Sequence, residues 1–409
     1  MKKINLFINS IFILFISCLL LFFVVLSKKK DGSLRFISYK KMKADYEYFW
    51  DFIYMGYPFT EVCERAGGDL KQIKNETYED LKKIKTEAEY CSFYYSLCEK
   101  ISSKKHFGHL FAVSQHAYKE HFYQQESNIV LSSYIPLITK FYENVVKEYG
   151  KNKNEYDLTI TKKIIDENNI AYIKINSFYQ STYNEQEAYI KAVNDFFIQT
   201  ENYEHIIIDI SENKGGFPEN AVYLIEGNIK RNTYFEKYGL YTENKFTKPY
   251  IDILFQKNNR IKKIDISKVP NIGNREKEKF DKAFYIKDYV AVRPILNYKP
   301  CKDKKFWILI SRKTYSASDE LADTCKRIGF ATLVGENTGG AGGGIHWPMH
   351  IVLPNSGLLI MFDFMYSLNP DGSCHDEIGT APDIYNLPGK DALETCLEEI
   401  RKLGERTNF

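Results

Sequence analysis

The chain has 409 residues, 44% of them hydrophobic and 27% charged, so it is long enough for two or three structural units and has no compositional sign of disorder. Its 56 basic and 53 acidic side chains leave a formal net charge of only +3, and its lysines occur in short runs. Because a nucleic-acid partner normally requires a concentrated basic surface, the composition argues against nucleic-acid binding.

The first thirty residues differ from the rest of the chain. An uncharged stretch rich in Ile, Leu, Phe and Val, Ile4–Ser27, is preceded by two lysines and followed by three. It is long enough to span a bilayer, which takes about 20 residues, and it lacks the small-residue end of a cleaved signal peptide. We therefore expect residues 1–30 to be a signal-anchor that holds an exported protein at the membrane. The alternatives are a cleaved signal, lipidation at Cys18 and a buried N-terminal helix.

The seven remaining cysteines show no Cys-x-x-Cys spacing of a metal site. We expect neither a metal nor a cofactor. Most of these cysteines are predicted to be small buried side chains, although an oxidising compartment would allow some of them to pair.

Residues 35–155 are predicted to form a helical N-terminal domain. Apolar and aromatic positions recur there at steps of three and four residues, as in Tyr46, Phe49, Trp50 and Ile53. This spacing places the large side chains on one face of a helix, which can then pack against a core.

The pattern changes after residue 156. Short apolar runs bounded by turn residues alternate with amphipathic helices, which predicts an α/β core over residues 156–409. A Lys- and Tyr-rich segment at about 230–300 is expected to be an insertion in this core. Two runs, His350–Leu353 and Leu358–Phe364, are joined by Pro-Asn-Ser-Gly and predict a hairpin.

A serine lies where a hydrophobic strand meets an amphipathic helix. The strand, Phe306–Ile310, runs into Thr314–Asp319, and the helix begins at once. Free N–H groups at a helix N-terminus stabilise developing negative charge, so Ser316 is a candidate nucleophile. Serine is also a common helix cap, and the local pattern taken alone favours that simpler interpretation.

Three further segments place glycines or acidic residues at turns. The run His205–Ile208 leads into Asp209–Gly216, whose diglycine would let the backbone approach a ligand closely. Gly335–Gly344 is glycine-rich but lacks the Gly-Lys-Ser/Thr end of a P-loop. Asp376–Asp383 places an acidic pair before a Gly/Pro turn. Each segment alone is compatible with an ordinary turn or loop.

Together, and in this order, the four motifs resemble those of the tail-specific proteases, also called C-terminal processing peptidases, and their tricorn-core relatives. That family has a strand ending Asp-Leu-Arg-x-Asn-x-Gly-Gly, a Ser-Ala-Ser-Glu turn, a Val-Gly-Glu-x-Thr-x-Gly loop and an acidic-x-x-Gly-Val-x-Pro-Asp turn. The resemblance covers the chain from about residue 160 and implies an α/β fold, with a ClpP/crotonase-like core preceded by the helical N-terminal domain. The matching segments here are Asp209–Gly216, Ser316–Asp319, Leu333–Gly340 and Asp376–Asp383.

The resemblance implies a serine-type peptidase that hydrolyses peptide or protein substrates through an acyl-enzyme at Ser316. The amides of Gly216 and Ala317 take the places of the oxyanion-hole donors. Tail-specific proteases carry a lysine base in the glycine loop, but that position is Ala341 here, which excludes a Ser/Lys dyad through this loop. The tricorn-type branch takes a histidine from the N-terminal side instead, and His109 stands at that place.

An acidic residue from the late turn is expected to support this histidine. Asp376 falls on the family's acidic position and Glu377 lies one residue beyond it, so either could orient the imidazole of His109. The other histidines considered as the base are His346, His350 and His375.

Two departures from the family pattern leave other functions open. Ser211 replaces the arginine of the diglycine strand, and the interval between His109 and Ile160 is too short for a PDZ domain. The layout is therefore closer to the PDZ-less branch, and capture of a free C-terminus in a PDZ groove is not implied. The alternatives to a peptidase are a non-catalytic binding protein on the same fold and an esterase-type acyl hydrolase.

Overall fold

The computed structural model describes residues 36–115, 117–118, 127–149, 157–167, 169–299, 304–344 and 347–407. The predicted anchor, residues 1–30, lies outside these ranges. Within them, no helix combines the length and the apolar character that crossing a bilayer requires.

Helices dominate up to residue 149 and alternate with strands after it, which confirms the predicted α/β class with a helical N-terminal region. The α-helices of the described residues are α1 (Tyr39–Met55), α2 (Thr60–Arg65), α3 (Leu70–Tyr78), α4 (Glu87–Ile101), α5 (Ser127–Val130), α6 (Ile135–Tyr149), α7 (Tyr183–Gln199), α8 (Pro218–Glu226), α9 (Lys248–Lys257), α10 (Asn274–Lys279), α11 (Ala317–Ile328), α12 (His375–Ile378) and α13 (Ala392–Thr407). Short 3₁₀ helices cover Glu79–Lys83, Phe107–His109, Ser132–Tyr134 and Ile266–Lys268.

The strands form three sheets, with the orders β13-β9-β8-β4-β3-β2, β12-β5-β7-β6 and β1-β11-β10. They are β1 (Phe111–Ala112), β2 (Ile160–Asp166), β3 (Ile170–Ile175), β4 (His205–Asp209), β5 (Thr233–Tyr241), β6 (Ile261–Ile264), β7 (Lys282–Val290), β8 (Lys305–Ile310), β9 (Thr332–Gly335), β10 (Met349–Val352), β11 (Leu359–Phe362), β12 (Tyr366–Leu368) and β13 (Ile384–Tyr385).

The six-stranded sheet is parallel except at β2, which pairs antiparallel with β3 at one edge. Both of its faces are covered: one packs on α7, α8 and α11, and the other packs under α13. Burial on both faces explains the continuous apolar run of β4. Ile206 and Ile208 face α7, α8 and α11, and Ile207 faces α13.

The segment at about 230–300, expected as an insertion, contains β5, β6 and β7 of the antiparallel four-stranded sheet together with α9 and α10. Its apolar face joins the largest hydrophobic cluster of the described residues, which also contains the inner faces of α1 and α4 and the β10–β11 hairpin. The predicted hairpin at residues 350–364 is present, with β10 and β11 paired antiparallel.

The periodicity predicted for the first helix is present in α1. Its large residues Tyr46, Phe49, Trp50 and Ile53 are all fully buried, and the Ser38 side chain caps its first turn. The helix therefore packs against the rest of the molecule along one broad aromatic face.

A buried carboxylate ties α1 to the turn of the β10–β11 hairpin. Asp45 is fully buried, and its Oδ1 accepts from the backbone N–H and the side-chain amide of Asn355, both at 2.9 Å. Its Oδ2 accepts from the Ser356 N–H at 2.9 Å. Because these donors satisfy a charge that burial would otherwise penalise, the helical region fixes the position of the hairpin.

Six cysteines in the described residues are free thiols, and Cys91 alone among these six is not fully buried. This agrees with the prediction that most of them are small buried side chains. The buried ones are Cys63, Cys98, Cys325, Cys374 and Cys396.

Candidate active site

Ser316 is not an ordinary helix cap. It precedes α11 with φ 57° and ψ −126°, and its side chain makes no capping hydrogen bond. A positive φ at a residue other than glycine costs about 1–3 kcal/mol and persists only where the surroundings enforce it. The Ser316 N–H donates to the Gly340 carbonyl at 3.1 Å, so the glycine loop holds this turn while the hydroxyl remains available.

A histidine and an aspartate complete a chain of two hydrogen bonds from this hydroxyl. His109 Nε2 lies 2.9 Å from Ser316 Oγ, and His109 Nδ1 lies 2.8 Å from Asp363 Oδ2. If the carboxylate accepts the Nδ1 proton, Nε2 carries the lone pair that can take the serine proton. His109 is 8% exposed, so this pairing is shielded from water.

Strand pairing brings the imidazole and Asp363 together. The β1–β11 ladder pairs Phe111 with Met361, and continuing its antiparallel register by two residues sets His109 opposite Asp363. The ladder is broken there, because His109 ends a short 3₁₀ turn with φ 49° and the Asp363 N–H donates to the carbonyl of Gly108, not of His109, at 2.7 Å. The end of the β1–β11 ladder therefore brings the base and its acid together, although 254 residues separate them along the chain.

The carboxylates around His109 set its protonation. Burial by itself lowers the pKa of His109, but the Asp363 carboxylate and its hydrogen bond, followed by Asp376 and Asp319, raise it above the usual 6.5. We therefore expect the site to need a pH above this value for the imidazole to act as a neutral base.

The structure gives the imidazole a different acidic partner from the two predicted. Asp376 Oδ1 accepts from the Gly108 N–H at 2.9 Å and so holds the backbone of the histidine turn. Glu377 forms a two-pronged ion pair with Arg65 of α2, in which Nε donates at 2.8 Å. Both residues of the late turn thus have other partners, and the prediction that one of them orients His109 Nδ1 is corrected to Asp363.

Asp376 nevertheless influences the site through its charge. Burial and then the neighbouring Asp363 carboxylate raise the pKa of Asp376, whereas His375, the Gly108 N–H and His109 lower it. The net effect raises the pKa of Asp376 to about 7, so Asp376 adds to Asp363 in favouring the imidazolium only as the pH rises through that value.

The diglycine turn packs directly against the nucleophile. A Cβ on Gly215 would lie 2.9 Å from Ser316 Cβ, and a Cβ on Gly216 would lie 2.3 Å from the carbonyl carbon of Phe178. Both glycines have positive φ, at 101° and 137°, so any side chain would be strained as well as crowded. Within the described part of the chain, the N–H groups of Gly216 and Ala317 donate to no protein acceptor, as the predicted oxyanion role requires.

Asn213 joins the diglycine turn to the turn that carries Ser316. Its Oδ1 accepts from the Gly215 N–H at 2.9 Å and from Ser318 Oγ at 2.6 Å, and its Nδ2 donates to the Ile175 carbonyl at 3.1 Å. Asn213 lies within the diglycine motif, but no role was predicted for its side chain.

His375, considered above as a possible base, serves a second buried network. Its Nε2 lies 2.6 Å from Asp319 Oδ2, which also accepts from the Gly342 N–H at 2.8 Å. Asp319 Oδ1 accepts from Thr338 and Thr380. The first turn of α11 is thereby tied to the glycine loop and to the late turn.

The remaining predicted candidates lie elsewhere. His350 is buried on β10, and its backbone carbonyl accepts from the Tyr250 hydroxyl, while His346 lies outside the described residues.

Ser211, which replaces the arginine of the family motif, donates its hydroxyl to Asp209 at 2.6 Å. Among the described residues, no group of three His, Cys, Asp or Glu side chains is arranged to hold a metal ion.

A sequence comparison with known families matches residues 169–386, more than half of the 409-residue chain, to peptidase family S41. The chain belongs to peptidase family S41. This confirms the predicted resemblance, and it makes the chain a serine peptidase by family, with peptide or protein substrates.

Solved structures similar to this S41 peptidase are distant in sequence. A candidate peptidase from Parabacteroides merdae is 15% identical with a TM-score of 0.49, over 88% of this chain and 96% of that one. A lipoprotein from Streptococcus agalactiae is 13% identical with a TM-score of 0.47 over the same shares. The photosystem II D1 C-terminal processing protease is 17% identical with a TM-score of 0.31, over 55% of this chain and 45% of that one.

The geometry predicts unequal roles for the two aspartates near His109. Asp363→Asn should lower the rate of labelling by a small fluorophosphonate by up to about 10⁴-fold, because the amide favours the wrong imidazole tautomer. It should also shift the acid limb of the pH–rate profile downward, because the carboxylate that raises the pKa of His109 is gone. Asp376→Asn keeps an acceptor for the Gly108 N–H and should cost less than about tenfold. Equal losses in the two variants would contradict this assignment.

The His375–Asp319 pair predicts how stability depends on pH. Burial alone would lower the pKa of His375, but Asp319 raises it to about 9. The stabilisation from this pair is therefore complete below pH 6.5 and is lost as the pH rises through about 9, so the urea midpoint of the wild type should fall over that interval. His375→Gln should remove this fall and cost about 3–5 kcal/mol at pH 6, since it leaves Asp319 buried without its counter-charge.

His205→Gln serves as the matched control for that measurement. His205 is also buried, but it accepts from Trp307 in the sheet, and burial lowers its pKa. The control should keep the alkaline fall of the wild type. If the urea midpoint still fell with rising pH in His375→Gln but no longer did so in His205→Gln, the assignment to the His375–Asp319 pair would be wrong.

Proposed function

We propose that this chain is a membrane-anchored serine endopeptidase that acts through an acyl-enzyme at Ser316, with His109 as the general base and Asp363 as its orienting acid. The observation that carries the proposal is the unbroken chain of hydrogen bonds, 2.9 Å from Ser316 Oγ to His109 Nε2 and 2.8 Å from His109 Nδ1 to Asp363 Oδ2. These distances fall within the reach that proton transfer requires.

In the proposed reaction, Ser316 Oγ attacks the peptide carbonyl carbon while His109 Nε2 takes the hydroxyl proton. The carbonyl oxygen becomes an oxyanion, which the N–H groups of Gly216 and Ala317 stabilise. Losing one such donor typically costs about 100- to 1000-fold in rate. The imidazolium, stabilised by Asp363, then protonates the leaving amine, and a water activated by His109 hydrolyses the acyl-enzyme.

A non-catalytic binding protein on the same fold would not need this arrangement. Selection for binding alone gives no reason to keep a serine at positive φ, a buried imidazole in contact with it and two uncommitted amides beside it. An esterase could use the same groups, because the chemistry of the acyl-enzyme is shared.

A fluorophosphonate probe tests the enzymatic proposal directly. Wild-type protein should be labelled, Ser316→Ala should not be labelled, and His109→Ala should be labelled at least about 100-fold more slowly because the hydroxyl lacks its base. Ser267→Ala, at an exposed serine of another segment, is the control that should match the wild type. Absence of labelling in well-folded wild type would favour the binding-protein alternative. Faster turnover of simple esters than of any peptide would favour the esterase.

The proposed location rests on the uncharged stretch Ile4–Ser27 with lysines at both ends. Full-length protein made in a bacterial host should sediment with membranes and be released by detergent but not by alkaline carbonate. Introducing Ile16→Arg with Leu20→Arg should shift it to the soluble fraction, because each arginine costs about 2.5–3.5 kcal/mol near the centre of a span. Cys18→Ala should stay with the membrane, and its release would indicate lipidation instead.

A further inference from the structure

Three aromatic side chains from separate segments meet beside the diglycine turn. Tyr179 follows β3, Phe217 follows β4, and Trp347 follows the glycine loop. The rings of Tyr179 and Phe217 stack at 5.2 Å between centroids with 24° between planes, and those of Phe217 and Trp347 meet edge to face at 5.7 Å and 67°. We call these three residues the aromatic cluster.

Backbone hydrogen bonds fix this cluster to Gly216. The Phe178 N–H donates to the Gly215 carbonyl at 2.9 Å, and the Phe217 N–H donates to the Phe178 carbonyl at 3.0 Å. Phe217 itself takes part in this pairing, and Tyr179 is one residue from Phe178, which makes both bonds. These bonds hold the backbone that carries both rings beside the N–H of Gly216, which is one of the proposed oxyanion donors.

The third ring, that of Trp347, follows the glycine loop, which contacts the turn of Ser316. The glycine loop accepts the Ser316 N–H at Gly340, and its Gly342 packs against the backbone of the first turn of α11. Trp347 follows this loop by a few residues, and its ring contacts that of Phe217. Tyr179 is buried, whereas Phe217 and Trp347 are only half-buried and so retain apolar surface that a ligand can cover.

The chemistry of acyl transfer places one substrate side chain near this surface. The carbonyl oxygen of the scissile bond must lie against the N–H of Gly216, and the carbonyl carbon is bonded to the α-carbon of the residue on the acyl side. The side chain of that residue therefore starts within a few ångströms of the oxyanion donors. An apolar wall beside those donors favours large apolar side chains there by burying them.

We infer that the aromatic cluster is the subsite for the acyl-side residue of the substrate and that it selects an aromatic or large aliphatic side chain. The inference rests on the proposed acyl-enzyme mechanism at Ser316. Phe217 and Trp347 are the specificity-determining residues, and buried Tyr179 supports the Phe217 ring from behind.

The test uses N-blocked amino-acid p-nitrophenyl esters that differ only in the acyl residue, Phe, Leu, Ala or Asp, with full-length wild-type protein. The kcat/KM should be about 10- to 100-fold higher for Phe and Leu than for Ala, and lowest for Asp. Phe217→Ala and Trp347→Ala should each reduce the Phe/Ala ratio about tenfold. Tyr183→Ala, which removes a 74% exposed ring elsewhere, should leave the ratio unchanged.

A gain of function provides the second arm. Trp347→Glu should raise kcat/KM for a Lys ester relative to the Phe ester, because the half-buried position would then offer a carboxylate to the ammonium group.

Normal fluorophosphonate labelling of Ser316 with an unchanged Phe/Ala ratio in both alanine variants would overturn the subsite while leaving the proposed function intact. Absence of labelling and of hydrolysis in wild type would overturn the proposed function, and the subsite with it.

Discussion

The antiparallel pairing of β1 with β11 is the contact on which the candidate site depends. A two-residue strand after the histidine turn pairs with the second strand of a hairpin, and the end of this pairing brings His109 to Asp363. A slip of one residue in this pairing would turn every side chain to the other face and separate the imidazole from its acid. The hairpin itself is held by Asp45 of α1, so the position of Asp363 depends on a carboxylate in the helical region.

The nucleophile is positioned by a different set of constraints. Ser316 and His109 both have positive φ, at 57° and 49°, and such conformations cost about 1–3 kcal/mol each. Buried side chains next to each turn hold it in this state. Asn213 binds the diglycine turn to the start of α11, and Asp376 holds the Gly108 N–H beside the histidine. The strain is located where the hydroxyl and the imidazole must meet, and polar networks on either side compensate for it.

These two kinds of constraint explain which residues the sequence could predict. Ser316, Gly216 and Ala317 lie in turns whose positions after a strand follow from local patterns, but their roles came from the family resemblance. His109 was assigned from its place in the family pattern. Asp363 was missed because its partner lies 254 residues away, and only a strand pairing links the two. A signal was present, since Asp363 is an acidic residue within the otherwise apolar run predicted as the second hairpin strand. An acidic residue buried in such a run needs a polar partner.

The misassignment of the acid also has a physical basis. Asp376 and Glu377 do reach the N-terminal region, but they bind its backbone and its arginine rather than its imidazole: Asp376 holds Gly108, and Glu377 pairs with Arg65. The Tyr315 hydroxyl, one residue before the nucleophile, likewise donates to the His106 carbonyl at 2.8 Å. Hydrogen bonds from the late turn, from the nucleophile turn and from the end of β11 therefore hold the loop that carries His109. The base and the nucleophile belong to regions whose apolar residues pack in different clusters, and these polar contacts join the two regions beside the 2.9 Å contact between them. A hydrogen bond has a preferred direction, whereas the hydrophobic effect is non-directional, so polar contacts are suited to align the hydroxyl with the imidazole.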